Sequence, residues 1–238
     1  MKKSRLFILI GIFLVIGIYL NRSYAYFYNF LGQHKLSTPI SPSTIVMENH
    51  SNNQLIKYVT LGDSLTAGVG APDIKSSYPY LLSQKLSSKN NVILVNLAHA
   101  GDTSSDVLTN QLPKASFYKP DVVTLLIGVN DIHNLKSPQE FEKNLKLIAG
   151  ELKKTGAKIY FLSIPYLGSN KIVFPPYNFI LSLRTRQFNG VIKKVAGDFG
   201  VNYIDLYSLR KSANFYSPDQ FHPSEEGYKE WAKIINVN

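Results

Sequence analysis

The run Asp121 to Ile127, DVVTLLI, is apolar at nearly every position and rich in β-branched residues. A strand with one wet face would alternate apolar and polar side chains. This one does not, so it belongs in the middle of a sheet that is covered on both faces, the condition of a parallel sheet packed between helices. The rest of the chain alternates to match. Ile56 to Leu61, Val92 to Leu97, Lys158 to Ser163 and Val201 to Ile204 read as further strands. Between and after them lie helical stretches at Tyr78 to Ser87, Ser104 to Leu112, Pro138 to about Lys154, Phe179 to Phe199 and Ser224 to Ile235. In the third of these, Phe141, Leu145, Ile148 and Leu152 recur at helical spacing behind a proline suited to a first turn. Repeated βα units predict an α/β fold, a three-layer α/β/α sandwich around a mainly parallel five-stranded sheet.

Three segments are expected: a membrane segment over 1–25, a flexible stalk over 26–54 and a folded domain over 55–238. Lys2, Lys3 and Arg5 precede the unbroken apolar run LFILIGIFLVIGIYL, Leu6 to Leu20, with no acid in the first 25 residues. A positive flank ahead of such a run is an export signal that places the downstream domain outside the cytoplasm. A retained membrane anchor is expected, with cleavage and secretion as the alternative. Ser23-Tyr24-Ala25 is a small-x-small cleavage site, whose use would release a secreted protein. Tyr24, Tyr26, Phe27, Tyr28 and Phe30 would instead form an interfacial belt that extends a retained anchor. From Gln33 to Gln54 the chain is rich in Ser, Thr, Pro and Asn without apolar periodicity, the composition of a stalk.

Hydrophobic content of 45% against 18% charged residues excludes a disordered chain. With no cysteine at all, disulfides, thiolate metal sites and cysteine nucleophiles are excluded. The net charge of +10 falls to +6 once Lys2, Lys3, Arg5 and Arg22 are set aside, and no basic stripe interleaves with aromatics. Nucleic acid is therefore not an expected partner. Nothing in the sequence fixes the oligomeric state.

Four short words fall where strands end or a helix begins: Gly62-Asp63-Ser64-Leu65, Gly101-Asp102-Thr103, Gly128-Val129-Asn130-Asp131 and Asp219-Gln220-Phe221-His222. In open α/β sheets, sites form beyond the carboxyl ends of the strands, so the first three converge on one edge. Ser64 is a candidate nucleophile, which needs a base to remove its proton. His222 is the candidate base. Asp219, three residues before it on a turn into a helix, can reach back to the ring and hold its tautomer. Taken singly, Asp63-Ser64 would also serve as a helix cap, Gly128-x-Asn130-Asp131 as a turn and Asp219-x-x-His222 as a surface capping pair. Asp205, directly after the last strand, is an alternative orienting acid with a structural role as its other reading.

These blocks resemble those of the GDSL family of lipases and esterases, the SGNH hydrolases. YVTLGDSLTAGVGA, NLAHAGDTSSDVL, LLIGVNDI and DQFHPSEEGY match the family's four blocks, over roughly Lys57 to Trp231. The Gly-Asp-Thr form of the second is similar to that of bacterial thioesterase/lysophospholipase-type members. The resemblance implies a flavodoxin-like sheet and a serine esterase acting on an ester or thioester through an acyl-enzyme, with Ser64, Asp219 and His222 as catalytic residues. It further implies an oxyanion hole from the Ser64 and Gly101 backbone N–H groups and the Asn130 amide. Lipid, acylated-glycan or small acyl esters are the expected substrates, with the membrane as a partner through the N-terminal segment and no cofactor.

His99, two residues ahead of the second block's Gly101, stands where many relatives carry small or glycine residues and could line the pocket or alter the loop's shape. His133 lacks a paired ligand spacing, so no metal site is expected. Asp63, Asp102 and Asp131 are expected to cap turns and tie loops together. The stretch Tyr166 to Arg186, with its aromatics and Pro175-Pro176, could wall an acyl pocket, dock on a membrane or pack on the core. A non-catalytic carbohydrate- or lipid-binding module on the same fold is the competing reading, although such a module has no need of Ser64, Asp219 and His222 together. A phosphate-binding protein is disfavoured because no glycine-rich phosphate loop precedes a helix.

Overall fold

A computed structural model of the chain describes residues 2–39, 41–49, 54–169 and 171–237. It begins with helix α1 (Lys2–Gln33), whose apolar side chains from Leu6 to Tyr19 are almost all exposed. Among the described residues α1 is the one helix long and apolar enough to cross a membrane. Beyond Leu20 its character changes, and Ser23 and Phe27 are buried against the rest of the protein.

Strands β1 (Ser43–Met47), β2 (Leu55–Gly62), β3 (Asn91–Asn96), β4 (Val122–Leu126), β5 (Lys158–Leu162) and β6 (Asn202–Ile204) form one sheet in the order β1-β3-β2-β4-β5-β6. The five strands read from the sequence are all parallel, and β4 is buried at every position, as its unbroken apolar run requires. Their order places the first strand between the second and third, the flavodoxin-like arrangement.

The sixth strand is a correction. β1 pairs antiparallel with β3, Ser43 opposite Asn96 and Met47 opposite Val92, within the segment expected to be a stalk. The serines and prolines around it hid a strand signal, the consecutive β-branched Thr44, Ile45 and Val46. Nor does the structure break at residue 25, because α1 runs as one helix through Ala25 to Gln33. Of the expected stalk, residues 40 and 50–53 lie outside the described ones.

Helices cover both faces. α3 (Tyr78–Ser87) and α9 (Glu225–Ile234) pack together on one side. On the other, α5 (Leu112–Tyr118) packs with α7 (Pro138–Lys154), and α7 with α8 (Tyr177–Phe199). Helix α7 shows how sequence dictates element. Ser137 caps it by accepting from the Glu140 N–H at 3.1 Å, Pro138 fills the first turn, and Phe141, Leu145, Ile148 and Leu152 bury one stripe. Short helices α2 (Ser64–Ala67), α4 (Ser104–Asp106) and α6 (Val129–His133) start at the carboxyl edge of the sheet. The helix expected over Ser104 to Leu112 continues to Tyr118 through a π turn at Val107–Gln111.

Candidate active site

Strand β2 ends at Gly62, whose φ of +155° and close approach to the Leu126 carbonyl leave no room for a side chain. A Cβ there would stand 2.3 Å from that oxygen. The chain can therefore turn sharply, and Ser64 opens α2 at the sheet edge. Asp63 caps α2 by accepting from the Leu65 N–H at 3.0 Å. Its buried carboxyl is pushed up to about 7 by burial, against the lowering effect of that N–H, and its Oδ2 has no protein partner.

The turn Asp219–His222 approaches from between β6 and α9. Gln220 sits in the left-handed region, φ +59°, and this folds the following N–H groups back on Asp219. Asp219 Oδ1 accepts from the N–H groups of Phe221 at 2.9 Å and His222 at 3.0 Å and from Ser217 Oγ at 2.8 Å. Its Oδ2 lies 2.6 Å from His222 Nδ1, and His222 Nε2 lies 2.9 Å from Ser64 Oγ. Burial alone would raise the Asp219 carboxyl. The hydrogen bond and charge of His222, with the backbone and Ser217 donors, outweigh it and hold the group below the usual carboxylate range. An ionised acid, an imidazole and a hydroxyl thus form one hydrogen-bonded line across 158 residues of sequence.

Gly101 and Asn130 face the same space. Gly101 adopts φ +93°, a conformation that suits glycine, with nothing within 4 Å of where a Cβ would be. Asn130 donates one amide hydrogen to the Asp102 carbonyl at 2.9 Å, leaving its second for a ligand. Together with Ser64 and Gly101, it borders a cavity of about 540 Å³ that also includes Asp219 and His222.

Asp102 and Asp131 tie loops together. Asp131 accepts from the Ser104 N–H at 2.9 Å and from Ser104 Oγ, binding α6 to α4, and Asn144 donates to the same hydroxyl. Asp102 accepts from Gln111 Nε2 at 2.8 Å and contacts His99 Nδ1 at 3.0 Å. His99 is exposed beside the cavity and does not line it. Asp205 is engaged elsewhere, accepting from Ser163 Oγ, the Tyr207 and Ser208 N–H groups and Ser208 Oγ, while Asp219 holds the position next to His222. Among the described residues no group of acids and histidines is arranged to hold a metal ion.

Two contributions escaped sequence reading. Gln111, buried at the end of the π turn, accepts from the Gly62 N–H at 2.9 Å and donates to the Gly62 carbonyl at 2.8 Å, clamping the backbone one step before Asp63-Ser64. A polar residue on the buried side of an otherwise regular helix was the available signal. The second is α1 itself. Phe27, Tyr28 and Leu31, followed by His34, Leu36 and Thr38, wall the cavity opposite Val129 and Phe221. Phe27 stacks on His133 with ring centres 5.5 Å apart and meets Phe221 edge-on at 5.6 Å. Tyr28 hydroxyl lies 3.0 Å from His133 Nδ1, and burial with the nearby Arg184 charge pushes His133 down to about 4. Among the described residues of 166–186, none lines this cavity. That stretch packs on the core through Leu167, Ile172 and Val173 and on α1, where Ser23 donates to the Pro175 carbonyl at 2.9 Å.

An arylesterase of Vibrio mimicus is 31% identical over 109 residues, 45% of this chain and 54% of that protein, so the match spans about half the relative's length. A thioesterase/protease/lysophospholipase of Escherichia coli is 26% identical over 168 residues, covering 70% of this chain and 74% of the relative. The crystal structure of a lipase/acylhydrolase from Enterococcus faecalis superposes with a TM-score of 0.64 at 24% identity, over 75% of this chain and 92% of that one, and shares the fold. The model of the GDSL-like lipase/acylhydrolase family matches residues 60–230, and the chain belongs to that family of hydrolases.

Proposed function

We propose that the protein is a serine esterase that cleaves an ester or thioester through an acyl-enzyme, with its domain outside the cytoplasm and α1 retained as its anchor. The observation that carries the chemistry is the line Ser64 Oγ, His222 and Asp219, with contacts of 2.9 and 2.6 Å. Ser64 Oγ attacks the carbonyl carbon as its proton passes to His222 Nε2. Asp219 keeps the other ring proton on Nδ1 and stabilises the imidazolium. The oxyanion is met by the N–H groups of Ser64 and Gly101 and by the free Asn130 amide hydrogen. When the tetrahedral intermediate collapses, the proton on His222 goes to the departing alcohol or thiol. Water, activated by the same imidazole, then releases the acid. The apolar cavity walls, Phe27, Leu31, Val129 and Phe221, suit an acyl chain.

Retention of the anchor is supported by the helix crossing the Ala25–Tyr26 bond without interruption and by the burial of Ser23, at 1% exposure, on the catalytic domain. Full-length protein, assayed on p-nitrophenyl esters of graded chain length, tests the chemistry. Ser64→Ala should abolish turnover while the protein stays folded, and a serine-directed phosphonate should label residue 64. Near wild-type turnover by the alanine variant would reject the mechanism.

A further inference from the structure

The packing of α1 on the domain through Ser23 and Phe27 sets how deep the domain sits. Leu6 to Leu20, fifteen residues at about 1.5 Å each, span about 22 Å, which is about 8 Å short of a hydrocarbon core of about 30 Å. Gly17 and Leu20, inside that apolar run, line a mostly apolar groove of about 460 Å³ together with Leu135, Ile180 and Leu181 of the domain. Leu135 and Ile180 are therefore level with the last turn of the apolar run. Beside them, Phe179 and Leu183 lie four residues apart on α8, exposed at 66% and 60%, and Leu135 is 78% exposed. Leu135 also holds φ +55°, a conformation unfavourable for leucine that projects its side chain outward from the end of α6. Arg22 is exposed two residues past the apolar run, Arg184 lines the groove, and Tyr24 and Tyr26 are exposed on the next turn of α1. Cations and tyrosines at the rim of an apolar face match the headgroup layer of an anionic leaflet.

We propose that Leu135, Phe179, Ile180 and Leu183 form a lipid-seating face that sinks into the outer leaflet of the membrane α1 enters, so that the Ser64 cavity opens at the lipid surface and takes its ester from a membrane-resident amphiphile. The shortfall of about 8 Å falls within the 5–10 Å to which interfacial apolar faces insert. Phe27, which walls the Ser64 cavity, is seven residues past Leu20, or about 10 Å along α1. A substrate with its head at the interface can reach Ser64 without leaving the leaflet. The proposal rests on the anchored-esterase reading.

Because the chain has no cysteine, single labels can be placed freely. Full-length Leu14→Cys, Phe179→Cys, Leu183→Cys and, as a distant control, Lys153→Cys would carry a nitroxide in phosphatidylglycerol/phosphatidylcholine vesicles. Labels at 14, 179 and 183 should be shielded from aqueous nickel and open to oxygen, with 153 the reverse. A shielded label 14 with 179 and 183 as wet as 153 would overturn the proposal alone, and a wet label 14 would overturn the anchor as well. Shielding at 179 and 183 that fades as protein is diluted into lipid would assign the face to a second copy and reject the seat. Phe179→Asp with Leu183→Asp should leave hydrolysis of a soluble short-chain ester unchanged and depress that of a lysophospholipid within vesicles. Equal retention on both substrates would refute delivery from the leaflet, whereas inactivity of the unsubstituted protein on both would indict the esterase reading without touching the label result.

Discussion

Replacing Asp219 by asparagine tests the site at its most constrained point, because the surroundings dictate which way the amide must face. Oδ1 of Asp219 accepts three hydrogen bonds, from the Phe221 and His222 N–H groups and from Ser217. An asparagine oxygen placed there keeps all three, and the NH₂ then points at His222 Nδ1. That nitrogen must become the acceptor, which moves the ring proton to Nε2, where it blocks transfer from Ser64. Turning the amide over would restore the tautomer but set the NH₂ against two backbone donors. Each buried donor left unsatisfied costs about 1–3 kcal/mol, or about 2–6 kcal/mol for the pair. The flipped state is thus populated in at most a few per cent of molecules if the cost is about 2 kcal/mol, and far fewer at the upper end. Loss of the carboxylate charge beside the imidazolium adds to this, so kcat should fall by about 10³- to 10⁴-fold. Asp205→Asn, by contrast, alters a loop held by Ser163, Tyr207 and Ser208 and should leave kcat within a few-fold while lowering the melting temperature. Steady-state kinetics of both variants on the best p-nitrophenyl ester, beside thermal melts, are the assay. If Asp219→Asn kept more than about a tenth of wild-type kcat, orientation by Asp219 would be refuted. Loss at Asp205 without loss at Asp219 would reassign the acid.

Asn130→Ala should lower kcat by about 10²- to 10³-fold with little change in KM, since the lost donor acts on the transition state, and a rise in KM alone would make Asn130 a substrate-binding residue. Gln111→Leu should destabilise the protein by about 1–3 kcal/mol in urea unfolding, because the buried Gly62 N–H loses its partner while the Gly62 carbonyl keeps the His99 N–H; a loss well under about 1 kcal/mol would show that the clamp is dispensable. His133, held down to about 4 by burial and by Arg184, takes up its proton more readily in the unfolded chain. Its contribution to stability is therefore intact above about pH 6.5 and is lost progressively as pH falls from there to about 4. Asp63, raised to about 7, works in the opposite direction over the same range, so the signal is the difference between wild type and His133→Gln, which should shrink steadily between those limits. Parallel stability-against-pH curves for the two proteins would contradict it.

The parallel sheet was legible because each central strand is short, apolar and bounded by turn residues, and because the site motifs fell at strand ends in chain order. What escaped was an edge. An edge strand such as β1 is half-wet, so Ser43 and Thr44 carry as little burial signal as a loop would. The π turn was equally invisible, since one extra residue in a helical turn leaves the composition of Ser104–Tyr118 unchanged. At the site, Ser64, Gly101, Asn130 and His222 stood out through residue type and position. Their support comes from the side chains of Gln111, Ser104, Asn144 and Ser217, which are common polar residues whose meaning lies in where the fold brings them.

The aromatic turn of α1 differs from its sequence signal for a related reason. Tyr24 to Phe30 reads as an interfacial belt, in which aromatics face lipid headgroups all round. In the structure these residues divide by helical face. Tyr24, Tyr26 and Tyr28 keep substantial exposure, whereas Phe27 is completely buried between His133 and Phe221. One phenylalanine thus touches both the residue that precedes His222 and the helix that carries Asn130. An α1 that ended at Ala25 would free Tyr26 and Phe27 from the helix that positions them, opening the cavity wall beside the base. On the anchored reading, membrane attachment and the shape of the cavity beside Ser64 are thus properties of one helix. A change in how α1 sits, by cleavage or by depth in the bilayer, acts directly on the wall that an acyl chain would meet.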